Sequence, residues 1–328
     1  MKADSALKEL SGWRAEIERT FLDNEPLVTI GLPTYNRAPS LPRAISSALA
    51  QTYRNLELVI SDNASTDGTQ RLCREASEQD ARVRYFRQPV NIGPTANFNA
   101  VLSAARGEFF MWLADDDWLD HSFVSECLRT LLERSDYTLV CGRELYYQGE
   151  QLRGGSVALN LLQESAEERV LAYYRQVGMN GTFYGLMRRV DVLKEPLPNV
   201  LAGDWLWLAR LAFAGKVKTL ESVAINRSCE GVSRDLRSLA AHYGLSEGQK
   251  RRPYHTIAIT VFKDIAWQSP MYRSLGKIGR ILLASRVTEI VGLRSFLPSW
   301  GFRTRITQAL RAKQSSLPPV PRLPSSDK

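Results

Sequence analysis

Residues 108–119 read EFFMWLADDDWL. A run of bulky apolar residues stops abruptly at three consecutive carboxylates, Asp115, Asp116 and Asp117. A short apolar run of this kind suits a strand buried on both faces. The same rhythm extends in both directions. Leu27–Leu32 (LVTIGL), Leu56–Ile60 (LELVI), Val83–Phe86 and Tyr137–Cys141 read as further strands. Between them, Leu41–Ala50, Thr69–Gln79, Thr95–Ala105 and Phe123–Glu133 carry helical spacing. Strands and helices in alternation predict an α/β fold, with a mostly parallel central sheet flanked by helices on both faces and right-handed crossovers.

Beyond Gly155 the alternation loosens. Glu164–Gln176 and Asp204–Ala214 read as helices, and Val217–Thr219 and Val223–Asn226 as strands. From about Asp235 the pattern is helical and basic. Four parts are expected: an amphipathic helix over 1–25 (Leu7, Leu10, Ile17 and Phe21 at helical spacing), an α/β domain over 26–234, a basic helical region over 235–313, and a flexible Pro/Ser-rich tail over 314–328. At 44% hydrophobic and 24% charged over 328 residues, the chain has a soluble globular balance, which excludes a mainly disordered or collagenous protein. The net charge of +8 is uneven. From Arg234 to Lys328 there are 17 Lys and Arg against 5 Asp and Glu, so the first 233 residues are net acidic. Cys73, Cys127, Cys141 and Cys229 are scattered, without zinc or disulfide spacing, as expected of a reduced, cytoplasmic protein. No apolar run has the form of a secretory signal or of a membrane span; residues 278–293 are interrupted by Arg280, Arg286 and Glu289.

In open α/β sheets ligands gather beyond the carboxyl ends of the strands. Those ends carry Pro33-Thr34-Tyr35-Asn36-Arg37, Ser61 to Asp67, Asn91-Ile92-Gly93, and the Asp triplet. Three adjacent carboxylates repel unless a cation joins them. A hard divalent ion, Mg²⁺ or Mn²⁺, takes one or two carboxylates and completes its shell with water and phosphate oxygens. An acidic turn at a helix start is the competing reading. Asp62 is either a turn residue or an acceptor for a nucleobase. Asp204, at the start of a helix, is either an N-cap or a general base. There is no GxGxxG, no P-loop, no HExxH and no GxSxG.

Three blocks together, PLVTIGLPTYNR, LELVISDNASTDGT and NIGPTANFNAVLSAARGEFFMWLADDDWL, resemble the family 2 glycosyltransferases of GT-A fold. The resemblance is dense over Pro26 to Leu119, thinner to about Arg234, and does not extend to the helical C-terminal extension. It implies a Rossmann-like GT-A domain and an inverting, nucleotide-sugar-dependent transferase. Carried over by residue, Pro33, Thr34 and Tyr35 resemble the first nucleotide loop, Asp62 the carboxylate that meets the base, and Asn91 and Gly93 the next nucleotide loop. Asp115 and Asp116 resemble the region at the ribose and diphosphate, with Asp116 and Asp117 as metal ligands. Ala114 stands where the commoner Asp-x-Asp-Asp pattern has its first Asp. Gly181–Gly185 with Arg188-Arg189 resembles the segment beside the acceptor. Asp204, after Gly203 rather than an acidic neighbour, takes the position of the catalytic base. Many relatives carry a His about 25 residues later. Here the stretch is Arg227-Ser228-Cys229-Glu230-Gly231-Val232-Ser233, with Cys229 the candidate for that place.

The resemblance implies a nucleotide-sugar donor, UDP first, and a glycan or lipid-linked acceptor. Basic residues beside apolar helical stretches, with Trp267 and Trp300, suit an anionic membrane surface, which would place the protein peripherally on the cytoplasmic face. A solvated basic face is the alternative. A non-catalytic sugar-nucleotide-binding or scaffold protein on the same fold competes with the enzyme, but the Asp triplet and Asp204 disfavour it. A nucleotidyltransferase is disfavoured because the first strand is not followed by a Gly-rich loop. No nucleic-acid partner is expected, since no recognition module is visible.

Overall fold

The computed structural model describes residues 25–178, 180–229 and 246–294. The helix expected over 1–25, apart from Glu25, and the tail over 314–328 lie outside the described residues. Among the described residues, nine strands form one mixed sheet: β1 (Val28–Thr34), β2 (Leu56–Asp62), β3 (Val83–Arg87), β4 (Phe109–Trp112), β5 (Trp118–Leu119), β6 (Tyr137–Gln148), β7 (Gln151–Gly155), β8 (Leu186–Arg188) and β9 (Lys216–Ser228). Their order is β3-β2-β1-β4-β8-β6-β9-β5, with β7 paired to β6.

The first four are parallel to one another. β1 and β2 are buried at every position, because their near-continuous apolar runs are covered on both faces. From β1 the chain moves to β2 and β3 on one side, then returns to lay β4 on the other. The reversal opens a crevice at the carboxyl ends of β1 and β4, where such sheets bind ligands. The other half is mixed. β8 is antiparallel to both β4 and β6, β9 is parallel to β6, and β5 is antiparallel to β9.

Two strand expectations change. β6 continues past Cys141 to Gln148, because beyond Gly142 it alternates buried and half-buried positions rather than staying apolar. Val217–Thr219 and Val223–Asn226 are parts of one strand, β9. The register against β6 shifts between Gly142 and Arg143, where β9 moves from Leu220 to Ala224. Gly142 permits this: a Cβ there would lie 2.6 Å from the Val223 carbonyl oxygen and 2.8 Å from the Phe123 ring.

Beneath the crevice, Trp112 at the end of β4 stacks on Phe183 (4.7 Å, 7°) and meets Trp207 edge-on at 4.9 Å. Trp112 Nε1 donates to the Phe98 carbonyl at 3.0 Å. This aromatic cluster joins β4, the Pro94–Ala104 helix, the 3₁₀ turn Gly181–Tyr184 and the Gly203–Ala214 helix. Each such pair adds about 0.5–1.5 kcal/mol to the burial of the rings.

The basic C-terminal stretch packs onto this body. Its described part, residues 246–294, comprises helices Glu247–Arg251, Pro253–Lys263 and Gly276–Leu293, with a π turn and a 3₁₀ segment between the last two. Arg210 on the Gly203–Ala214 helix binds Glu195 at 2.6 Å and also Asp264. Arg294 donates to the Tyr174 and Val177 carbonyls, each at 2.7 Å. No helix among the described residues is long and apolar enough to cross a membrane.

Candidate active site

The loop after β1 is cross-stitched to the loop after β2. Asn36 adopts φ +52°, a region that Asn tolerates better than most side chains. Its amide donates to Ser65 Oγ at 2.9 Å, and its Oδ1 accepts from the Thr66 amide at 2.8 Å. The Arg37 amide donates to Thr69 Oγ1, and the Ala38 amide to Asp67 Oδ2. Pro33 and Thr34 remain within β1, opposite Ser61 and Asp62.

The same loop meets the Asp triplet. The Tyr35 amide donates to Asp115 Oδ2 at 3.3 Å. Arg37 places Nε 3.5 Å from Asp115 Oδ1 and Nη2 3.9 Å from Asp116 Oδ2. Burial and the neighbouring Asp116 charge push Asp115 up to about 7, against the pull of Thr34, Arg37 and the Tyr35 amide. Asp115 and Asp116 therefore form a crowded pair, held by one guanidinium.

Asp117 faces elsewhere. It is almost fully buried, with Arg227 Nε 3.2 Å from Oδ2 and the Ser228 amide donating to Oδ1 at 3.1 Å. Burial raises its carboxyl, and the Arg227 charge opposes the rise. Arg227 also lies 3.8 Å from Glu144 and over the Tyr184 ring at 5.2 Å. Cys229, the candidate for the missing His, is exposed, and its amide donates to the Tyr147 carbonyl. Among the described residues of this stretch, Arg227 reaches Asp117.

Asp62 is fully enclosed. It accepts from the Ser65 amide at 2.8 Å and from Tyr85 Oη at 3.3 Å, with Arg87 Nε also at 3.3 Å. Asn91 Oδ1 accepts from Asn63 Nδ2 and from the Gly93 amide. Gly93 caps the Pro94–Ala104 helix at φ +82°, a left-handed conformation that requires glycine.

Asp204 is not the N-cap of its helix. Ala202 holds that position at φ +58°, and Asp204 falls in the first turn. Its Oδ2 accepts from Asn180 Nδ2 at 2.7 Å, and Asn180 Oδ1 accepts from Tyr173 Oη at 3.0 Å. Burial raises the Asp204 carboxyl, while Asn180, the helix-start amides and Arg227 pull it down. The half-buried Tyr184 phenol feels the charges of Arg227, Asp117, Asp116 and Asp204. Asp204 lies 87 positions beyond Asp117 in the chain, yet both charges act on this one phenol. Arg188 and Arg189 donate to backbone carbonyls of Tyr137, Leu131 and Gly107, and so brace the sheet.

Among the described residues no cluster of three or more His, Cys, Asp or Glu is arranged to cage a metal ion. Asp115 and Asp116 instead offer hard carboxylate oxygens at the crevice. That donor set fits a Mg²⁺ or Mn²⁺ that draws its other ligands from phosphate and water. Arg37, Asn180 and Arg227 are the site residues to which sequence reasoning assigned no role. Arg37 and Arg227 stood in quoted stretches. Nothing in the sequence marks Asn180.

A crevice at the switch point of a parallel half-sheet, acidic at the end of β4, with a half-buried aspartate in the first turn of a later helix, fits the GT-A class of fold. The chain belongs to glycosyl transferase family 2, whose profile matches residues 29–195. It is 28% identical over 227 residues to the hyaluronan synthase of Pasteurella multocida, covering 68% of this chain and 22% of the synthase. It is 36% identical over 112 residues to the GalNAc(5)-diNAcBac-PP-undecaprenol beta-1,3-glucosyltransferase of Campylobacter jejuni, covering 34% of this chain and 35% of that protein. The chain therefore spans well under half the length of either relative. Two solved structures share the fold. The mannosyltransferase PcManGT from Pyrobaculum calidifontis, in complex with GDP-Man and Mn²⁺, superposes with TM-score 0.53 at 17% identity, over 89% of this chain and 76% of that one. S. aureus TarS 1-349, in complex with UDP-GlcNAc, superposes with TM-score 0.52 at 14% identity, over 87% and 92% respectively.

Proposed function

We propose that this chain is an inverting glycosyltransferase that moves a sugar from a nucleotide-sugar donor to a hydroxyl of a glycan or lipid-linked acceptor in the cytoplasm. UDP is the favoured nucleotide, in keeping with the TarS complex with UDP-GlcNAc; GDP, as in the PcManGT complex, is the alternative. The observation that carries this reading is Asp204. It is a half-buried carboxylate whose desolvation raises its affinity for protons, fixed by Asn180.

An acceptor hydroxyl is a weak nucleophile near neutral pH. Asp204 takes its proton as the oxygen attacks the anomeric carbon in line, on the face opposite the leaving group. Asn180 and the helix-start amides hold the carboxylate in place for the acceptor. Pro33, Thr34 and Tyr35 line the nucleotide side, with Asn91 and Gly93 on the neighbouring loop. Asp62 braces the loop through the Ser65 amide, and its second oxygen meets a base when Arg87 or Tyr85 yields. Asp116, with Asp115 beside it, would hold Mg²⁺ or Mn²⁺; the chemistry supplied there is neutralisation of charge on the departing diphosphate. Asp117 would join that set only by leaving Arg227.

Asp204→Asn tests the reading. Transfer should fall about 10²–10⁴-fold. The thermal shift given by UDP, GDP, dTDP or CMP, with and without Mn²⁺, should match that of the unaltered protein. Full transfer by the variant would overturn the assignment of the base. Absence of any nucleotide shift in either protein would overturn the donor site.

A further inference from the structure

The Gly276–Leu293 helix is apolar on two sides. Leu283, Ala284, Val287 and Val291 are buried against the body. Ile278 (77% exposed), Leu282 (60%), Leu293 (56%) and Ile281 (45%) stand in solvent. At 3.6 residues per turn these four fall within one arc of roughly 120°. Exposed Lys277 and Arg286 stand at or just beyond the two borders of that arc, and Ser285 and Glu289 share its interior. In sequence the two apolar sides blur into one helix with no preferred face. Packing assigns the first side to the core and leaves the second without a partner among the described residues.

The feature is local. Of the fifteen large hydrophobic residues exposed among the described residues, six lie between 246 and 294: Ile259, Trp267, Ile278, Ile281, Leu282 and Leu293. The same stretch holds nine Lys and Arg against three Asp and Glu. One of the three, Asp264, is buried against Arg210. A second copy of the chain would bring two basic surfaces together, which is repulsive. An anionic lipid surface complements both properties. Aliphatic side chains enter the headgroup boundary, while bordering Lys and Arg reach the phosphates.

We propose that the exposed face of the Gly276–Leu293 helix, with Ile278, Ile281 and Leu282 bordered by Lys277 and Arg286, is a docking surface for an anionic phospholipid bilayer. The proposal stands apart from the transfer chemistry, though the two are mechanically joined. Arg294, at the end of this helix, lies 5.5 Å over the Trp205 ring, next to Asp204. A chain docked through this face holds the helix of the base in fixed relation to the lipid plane.

The test is co-sedimentation of the full chain with vesicles of phosphatidylcholine alone and of phosphatidylcholine mixed equally with phosphatidylglycerol. The chain should pellet with the mixed vesicles only, and less so at high salt. The double variant I278S/L282S should weaken binding about tenfold or more, and K277Q/R286Q about tenfold. All four positions are at the surface, so thermal midpoints should stay within about 2 °C of the unaltered protein, which separates lost docking from lost folding. Equal pelleting with both vesicles, no pelleting with either, or binding unmoved by I278S/L282S would overturn the proposal. A dimer in solution that I278S/L282S dissolves would overturn it in favour of a second copy.

Discussion

Asp115 keeps its proton to about pH 7 because it is 14% exposed and shares its space with Asp116. An unfolded chain would release that proton near pH 4. The contribution is therefore fully present below about pH 4 and is lost as the pH rises toward 7, where the folded state must hold a carboxylate it disfavours. Asp115→Asn removes the conflict. In metal-free buffer the variant should be more stable than the unaltered protein at pH 8, by about 2–4 kcal/mol. The gap should close toward pH 4. Urea unfolding at the two pH values measures both. A gap independent of pH would mean that crowding with Asp116 is not the cause. At this scale the sequence was partly legible. Asp115, Asp116 and Asp204 stood out as carboxylates at strand and helix ends. Their partners did not: Arg37 meets Asp115 across 78 positions and Arg227 meets Asp117 across 110. Such contacts exist only after the sheet has formed.

The parallel half of the sheet was readable because burial on both faces leaves an unbroken apolar run. The helices Thr69–Gln79 and Phe123–Glu133 have the bounds that their spacing predicts. The mixed half was harder to read. β5 and β8 span two and three residues, too few for any period to show. The register shift between β6 and β9 depends on a contact of Gly142 with Val223, far along the chain. That contact predicts the cost of filling it. In Gly142→Ala the new methyl group would press on backbone rather than on a mobile side-chain end. Stability should drop by about 1–3 kcal/mol, read as a lower urea midpoint with an unchanged slope. An unchanged midpoint would show that the strand yields there.

Across the whole molecule, one buried guanidinium ties the C-terminal helices to the α/β body. Burial raises the carboxyls of Glu195 and Asp264, and Arg210 pulls both down. Removing the cation strands two buried acids. Arg210→Met should cost about 3–5 kcal/mol near neutral pH. The loss should shrink on acidification, as both carboxyls take up protons. A loss that stays constant with pH would point to packing alone. The sequence showed the change in charge near residue 234 but not this joint, because the composition of a basic segment does not say which of its few acids turns inward.

The stacked ring of Trp112 carries one more consequence. It sits at the end of β4, a few residues before the acidic pair, in contact with Phe183 and Trp207. Indole emission responds to nearby charge and to the rigidity of its surroundings, so this cluster is an optical probe already installed beneath the crevice of the proposed donor site. Titration with a nucleotide should be visible as a change in the protein's own fluorescence, without a label and without an acceptor.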